Sequence, residues 1–378
     1  MVNLAFTDLP HVLLGLMFVC VLLLYRWQWR DYTILPGAYG QVEGRDCEAL
    51  PRLSIIVPYV QHQMGDIEDF LASLYTYDYP DYEVILTKCD TEGIDKERLA
   101  HLCKRFLHLR STGIPKDSPY ANPYWLGLTL GVRAAYGEWV VVMPPGAFAA
   151  STDWLQYMMC LALREHLQVV QAYVNFADEH TRRSRRAIYE RLRQQLMRQR
   201  ASHRGRSVGS ETTGVLMRKD FFMSHCQSLR NMRSPFGGLD YMLDGQPESG
   251  KLHVLLSPET TLLQPLPSRR VMKTYRHTIR KASQRKSLRF QLYRLRSHGA
   301  RLLLWCHLLL AIAYTTFSVH DFARTHCYTL SALMLDSVFL LLFVTALLVP
   351  TLRMRRCVKR LGERRFGLYP YFFDLLHV

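Results

Sequence analysis

Apolar residues along this chain fall into three patterns. Short β-branched runs, LSIIVPYV (Leu53 to Val60), YEVILTKC (Tyr82 to Cys89) and GEWVVVM (Gly137 to Met143), are apolar at consecutive positions. That is the pattern of strands buried on both faces of a parallel sheet. Between and around them, IEDFLASLYTYDYP, KERLAHLCKRFL and WLGLTLGVRAAYG carry apolar residues at helical spacing. Pro80 stops the first and Gly137 the last. TDWLQYMMCLALREH reads as a further helix with Ser151 or Thr152 as N-cap. Strands and helices alternating at this spacing predict an α/β fold with a doubly wound, mostly parallel sheet.

The third pattern is long and apolar. PHVLLGLMFVCVLLLYRWQWR, LLLWCHLLLAIAYTTFSV (Leu302 to Val319) and LSALMLDSVFLLLFVTALLV (Leu330 to Val349) each approach the roughly 20 residues that cross a bilayer. The first ends on Arg26, Trp27, Trp29 and Arg30, and it lacks the basic lead and small-residue cleavage site of a signal peptide. Asp336 inside the third is a costly carboxylate expected to face another helix. Arg26, Arg30, Arg296, Arg301 and the run RMRRCVKR fall on one side if the chain crosses three times. The expectation is one N-terminal and two C-terminal transmembrane helices in a cell inner membrane, with the α/β domain cytoplasmic. The expected segments are an anchor (1–30), a linker (31–50), the α/β domain (51–266), a basic interfacial stretch (267–301), two spans (302–350) and a basic cytoplasmic tail (351–378).

Charge narrows the partners. Lys and Arg number 48 against 32 Asp and Glu, a net +16, which calls for an anionic partner. The apolar segments favour membrane lipids or a phosphorylated substrate, and no nucleic acid is expected. In HTRRSRRAIYERLRQQLMRQRASHRGR, Ile188, Leu192 and Leu196 recur at four-residue intervals within an Arg-rich stretch. Such a helix lies on an anionic membrane surface or flanks a substrate cleft. The nine cysteines are odd in number and form no CxxC pair, which fits reduced thiols and argues against a zinc site.

In this order the segments resemble the membrane-bound family-2 glycosyltransferases with a GT-A fold. LSIIVPYVQ with IEDFLASLYTYDYPDYEVIL is similar to the family's opening strand, helix, "YP" turn and second strand. LGLTLGVRAAYGEWVVVM and the following DWL resemble the elements around its metal motif. LMRKDFF resembles the "YRK..FF" segment, and LLSPETTLLQPLPSRRVMKTYRHTIRKAS resembles the "SPEA…QRKRWAS" region.

The resemblance implies a transferase moving sugar from a nucleotide sugar to a membrane-associated acceptor, as in surface polysaccharide or glycolipid assembly. It implies Mg or Mn at a DxD motif, an acid holding the nucleotide base, a carboxylate as general base, and an Arg/Trp motif near the membrane. The DxD position reads Pro144, Pro145 and Gly146, so the metal ligands are missing and no cofactor is evident. The family's "VDDGS" reads Thr87, Lys88, Cys89, Asp90 and Thr91, with Asp90 or Glu92 as partial substitutes for the lost acids. "YNE" reads Val60, Gln61 and His62, which leaves His62 as a phosphate contact. The acceptor-site acids read Gly238, Leu239 and Asp240, which retains Asp240 as catalytic base. "QxxRW" reads His277 through Lys281 and keeps Arg280, so His277 and Arg280 are substrate-binding candidates.

Three readings follow: a transferase impaired by loss of its metal ligands, an inactive scaffold or subunit serving another glycosyltransferase or a polysaccharide-assembly partner, and a basic membrane-surface binding module. Whether the chain is an enzyme is open at this point.

Overall fold

A computed structural model of the chain describes residues 49–60, 63–90, 96–115, 122–227, 238–244, 251–269 and 330–362, with scattered positions before 36 and between 288 and 323. The chain forms two compact units, Ile34–Gln291 and a second made of Met1–Thr33 with Leu292–Val378.

The first unit is built on a seven-stranded sheet in the order β3-β2-β1-β4-β8-β6-β9. The strands are β1 (Leu53–Tyr59), β2 (Tyr82–Lys88), β3 (Leu109–Gly113), β4 (Trp139–Val142), β6 (Val169–Gln171), β8 (Val215–Arg218) and β9 (Leu252–Val254). β1 pairs in parallel with β2 and β4, β2 with β3, and β6 with β9. β8 runs antiparallel to both β4 and β6. A smaller sheet has the order β5-β10-β7, from β5 (Phe148–Ala149), β7 (Tyr173–Phe176) and β10 (Thr261–Gln264).

Every residue of β1 is buried, as its unbroken apolar run requires. The strand's alternation divides the core in two. Leu53, Ile55, Val57 and Tyr59 meet helices α1 (Ile67–Leu74), α2 (Lys96–Arg105) and α4 (Trp154–Arg164), with Phe70, Leu71, Leu102, Trp154 and Met158 in contact. Ile56 faces the opposite layer with Ile85, Val140 and Val142, where α3 (Pro123–Ala134) and α6 (Lys219–His225) contribute Trp125, Leu128, Val132 and Phe222. Asn122 caps α3 by accepting the Trp125 N–H at 3.1 Å, and Pro123 opens the helix. Gly127 and Gly131 let α3 sit close on the strands. A Cβ at Gly131 would lie 2.3 Å from Thr87 Oγ1, and one at Gly127 2.6 Å from Cys89 Sγ.

The longest helix of this part, α5 (Arg182–Ser202), starts at a capping box between Thr181 and Ser184. It packs on β7 and β9. Ile188, Leu192 and Leu196 are all buried. The apolar stripe that allowed a membrane-surface helix is therefore used in the domain's own core.

The second unit contains α8 (Leu330–Arg360), with Pro350 inside it. This helix includes the third apolar segment but runs on through Pro350 into RMRRCVKR, and Met354, Cys357 and Val358 are buried. Among the described residues no helix is long and apolar enough to cross a membrane. That finding overturns the expected three spans and the inner-membrane location drawn from them. Most of the first two apolar segments, and of the basic stretch before the second, lies outside the described residues. The cysteines depart from expectation at one point: Cys160, buried in α4, is disulfide-bonded, whereas Cys89, Cys103, Cys226 and Cys357 are free thiols.

The N-terminal ends of the central strands are tied by one buried carboxylate. Glu83 accepts hydrogen bonds from Ser54 Oγ at 2.7 Å, the Tyr136 N–H at 2.5 Å and Arg110 Nη1 at 3.1 Å. Arg110 also lies 4.1 Å from the centroid of the Tyr136 ring. Burial alone would raise the Glu83 pKa, but these donors outweigh it and hold it below the usual 4.5. A depressed carboxylate stabilises the fold above its unfolded pKa and loses that contribution as the pH falls. Glu83→Gln is therefore expected to flatten the pH dependence of urea unfolding between about pH 5 and pH 3, and Glu83→Ala to cost about 3 kcal/mol at pH 7.

Candidate active site

In a doubly wound sheet, ligands bind outside the carboxyl ends of the strands where neighbouring connections diverge. Here that place lies at β1, from which the chain order goes to β2 on one side and to β4 on the other. The ends of β2 and β4, and the turn leading into β8 that holds Asp240, define the candidate site.

At the end of β2, Lys88 is fully buried and its ammonium is ion-paired with Asp90. Asp90, expected to contact substrate, thus faces a cation of its own chain. Between them Cys89 donates its N–H to the Tyr59 carbonyl at 2.8 Å. Burial, helped by the Asp90 charge, pushes the Cys89 thiol up to about 12, so this cysteine is no nucleophile at neutral pH.

At the end of β4 the chain turns. Met143 donates its N–H to the Ile56 carbonyl at 2.9 Å, and the Pro144 carbonyl accepts the Ala147 N–H at 3.4 Å. Gly146 has φ +83°, a left-handed conformation that side chains resist. A Cβ there would stand 3.4 Å from Pro265 Cγ, just past the end of β10. Pro144, Pro145 and Gly146 form the turn that carries the chain out of the large sheet into β5 of the small one. This turn offers a metal only main-chain carbonyls, one of which already has a partner. Among the described residues no group of three or more His, Cys, Asp or Glu is placed to hold a metal ion. The residues present do not fit a divalent metal at this strand end.

The remaining part lies beyond β8. Asp240, in the short helix α7 (Leu239–Met242), is partly buried and accepts the Ser210 N–H at 3.1 Å through Oδ1. The next residue, Glu211, is buried and ion-paired with both Arg191 and Arg198 of α5. Burial opposes the Glu211 charge, but the two guanidinium groups outweigh it and bring the pKa down to about 2. Burial likewise opposes the Arg198 charge, and Glu211 and Asp240 more than restore it. Arg191 lies 4.6 Å from the centroid of the Phe176 ring. Gln195, fully buried one turn from each arginine, finds no hydrogen-bond partner among the described residues for its amide nitrogen or oxygen.

His62, Glu92, His277 and Arg280 lie outside the described residues. Among the others, Asp90 and the Pro144–Gly146 turn sit at the ends of β2 and β4 with β1 between them, and Asp240 is held by the turn that leads into β8. Sequence reasoning missed Glu211, Arg191, Arg198 and the burial of Lys88. A signal was present: Glu211 is an isolated acid in SVGSETTG, and positions 191, 195 and 198 share one helical face.

The architecture is similar to that of a solved mannosyltransferase, PcManGT from Pyrobaculum calidifontis in complex with GDP-Man and Mn2+. The likeness covers 94% of this chain and 97% of that one, with 15% identity and a TM-score of 0.51. The fold is glycosyltransferase-like. A second solved structure, S. aureus TarS 1-349, matches over 80% of this chain and 82% of its own, at 13% identity and a TM-score of 0.39. No protein-family model matches the chain, and no curated protein matches its sequence.

Lys88 and Asp90 form an ion pair at the carboxyl end of β2, with the Lys88 ammonium buried. Removing one partner leaves the other charge buried and uncompensated, whereas removing both does not. Asp90→Ala is expected to cost about 3 kcal/mol in urea unfolding, and the double variant Lys88→Met/Asp90→Ala to cost less than Asp90→Ala alone.

Proposed function

We propose that this protein is a degenerate glycosyltransferase: it keeps the fold and the acceptor-side carboxylate of a nucleotide-sugar transferase and is impaired in metal-dependent transfer. The observation that carries this reading is the Pro144–Pro145–Gly146 turn at the end of β4. Displacing a sugar from a nucleoside diphosphate builds negative charge on the leaving phosphate. A metal ion contributes several kcal/mol of stabilisation to that charge, and each 1.4 kcal/mol is about tenfold in rate. Two prolines and a glycine supply no side-chain ligand for it.

The acceptor side is different in kind. A carboxylate next to an attacking hydroxyl can take its proton, and Asp240 is a carboxylate anchored by the Ser210 N–H. The ligand class this reading assigns is a nucleotide sugar with a hydroxyl-bearing acceptor, and transfer through this site is slow and indifferent to added metal. The Lys88–Asp90 ion pair favours a second reading, an inactive scaffold or subunit of a polysaccharide-assembly machinery, because it engages a side chain otherwise available to a nucleotide.

Calorimetric titration of the purified full-length chain with GDP, UDP, GDP-mannose and UDP-glucose, with Mn2+ or with EDTA, separates these. The degenerate-transferase reading expects nucleotide affinity to change by less than about twofold on adding Mn2+, and slow sugar release that Asp240→Asn reduces by about 10²-fold or more. Binding strengthened more than about tenfold by Mn2+, the signature of a working metal bridge between protein and phosphate, sinks it. No nucleotide binding at millimolar concentration leaves the scaffold reading in its place.

A further inference from the structure

We propose that Arg198 is a positioning residue for Asp240, acting through the Ser210–Glu211 turn. The inference rests on reading Asp240 as the acceptor-side carboxylate. It assigns to α5, a helix with no part in the ordinary description of the strand ends, the task of setting that carboxylate in place.

Arg191 and Arg198 share Glu211, one oxygen each, in a buried setting. Two guanidinium groups thus converge on one buried carboxylate, which fixes Glu211 from both sides. Asp240 is the second carboxylate whose field acts on Arg198.

Geometry agrees with the charge. Ser210 and Glu211 are consecutive residues. The backbone N–H of the first holds Asp240 Oδ1 at 3.1 Å, and the side chain of the second is clamped by the two arginines. The Ser210 hydroxyl donates to the Glu211 carbonyl at 2.7 Å, which stiffens the turn between the two contacts. Any shift of Glu211 therefore moves the amide that holds Asp240. Arg191 is further fixed against the Phe176 ring, whereas the Nε of Arg198 finds no hydrogen-bond partner among the described residues.

Stability alone does not call for this arrangement, since buried ion pairs are commonly matched or bettered by apolar residues of similar volume. Holding one carboxylate at a fixed place does call for it.

Hydrogen exchange at the Ser210 amide reads the contact directly and needs neither ligand nor activity. It is measured in the full-length chain for wild type, Arg198→Met, Arg198→Lys, Asp240→Asn and the double variant Arg198→Met/Asp240→Asn. The expected result is that Arg198→Met and Asp240→Asn each speed exchange at Ser210 by about tenfold. The double variant goes no faster, Arg198→Lys restores most of the protection, and the Glu83 region is unchanged throughout. Should Arg198→Met not fold, Arg198→Gln removes the charge while keeping a polar chain. Protection at Ser210 within about twofold of wild type in the charge-removing variant overturns the proposal. So does faster exchange throughout α5 and β8, which marks a general strut, and so does Arg198→Lys behaving like Arg198→Met. Failure of the nucleotide titration would remove the proposed function and leave this coupling standing or falling on its own.

Discussion

Burial of β1 on both faces is the constraint on which the rest of the domain depends. A strand with helices above and below has no exposed side on which to put charge, so polar chemistry is driven to the strand ends. The ends carry different kinds of chemistry. At the amino ends, Glu83 gathers three donors and ties β1, β2, β3 and the chain entering β4. At the carboxyl ends, Lys88 and Asp90 neutralise each other and the Pro-Pro-Gly turn carries no charge. Among the described residues, the charges at the carboxyl ends of β2 and β4 are thus balanced from within the chain.

Beyond β8 the balance is different. α5 brings two arginines and a glutamine into the interior, and the turn before β8 answers with Glu211 and holds Asp240. One half of the candidate site is thus closed by local contacts, and the other keeps a charged network in which Gln195 and the Nε of Arg198 find no hydrogen-bond partner among the described residues. The proposed reading of a degenerate transferase rests on this asymmetry. The likeness to a mannosyltransferase supplies the fold against which the asymmetry can be seen.

β1, β2, β4 and the helices α1 to α4 around them were legible because each depends on short-range pattern, whereas β3 and the short strands β5 to β10 were not read. LSIIVPYV could hardly be anything but a buried strand, and Pro80 and Gly137 are local stop signals for the helical stretches. The membrane reading failed for a related reason. Hydropathy over a window counts apolar residues but does not set where a helix ends, and Leu330–Arg360 is one helix that continues past Pro350 into basic residues. The Arg-rich stretch was ambiguous because amphipathicity does not say what covers the apolar face. The covering surface turned out to be β7 and β9.

The sequence by itself determined the α/β order around β1, β2 and β4 and the presence of Pro144, Pro145 and Gly146 after the third β-branched run and of Asp240 further on, since residue identity and spacing are one-dimensional facts. Only the tertiary structure decided that Lys88 is buried against Asp90, that Arg191 and Arg198 converge on Glu211, and that Ser210 holds Asp240. Those depend on which surfaces meet in three dimensions, and a charge acquires its role from the dielectric and the partners that burial gives it.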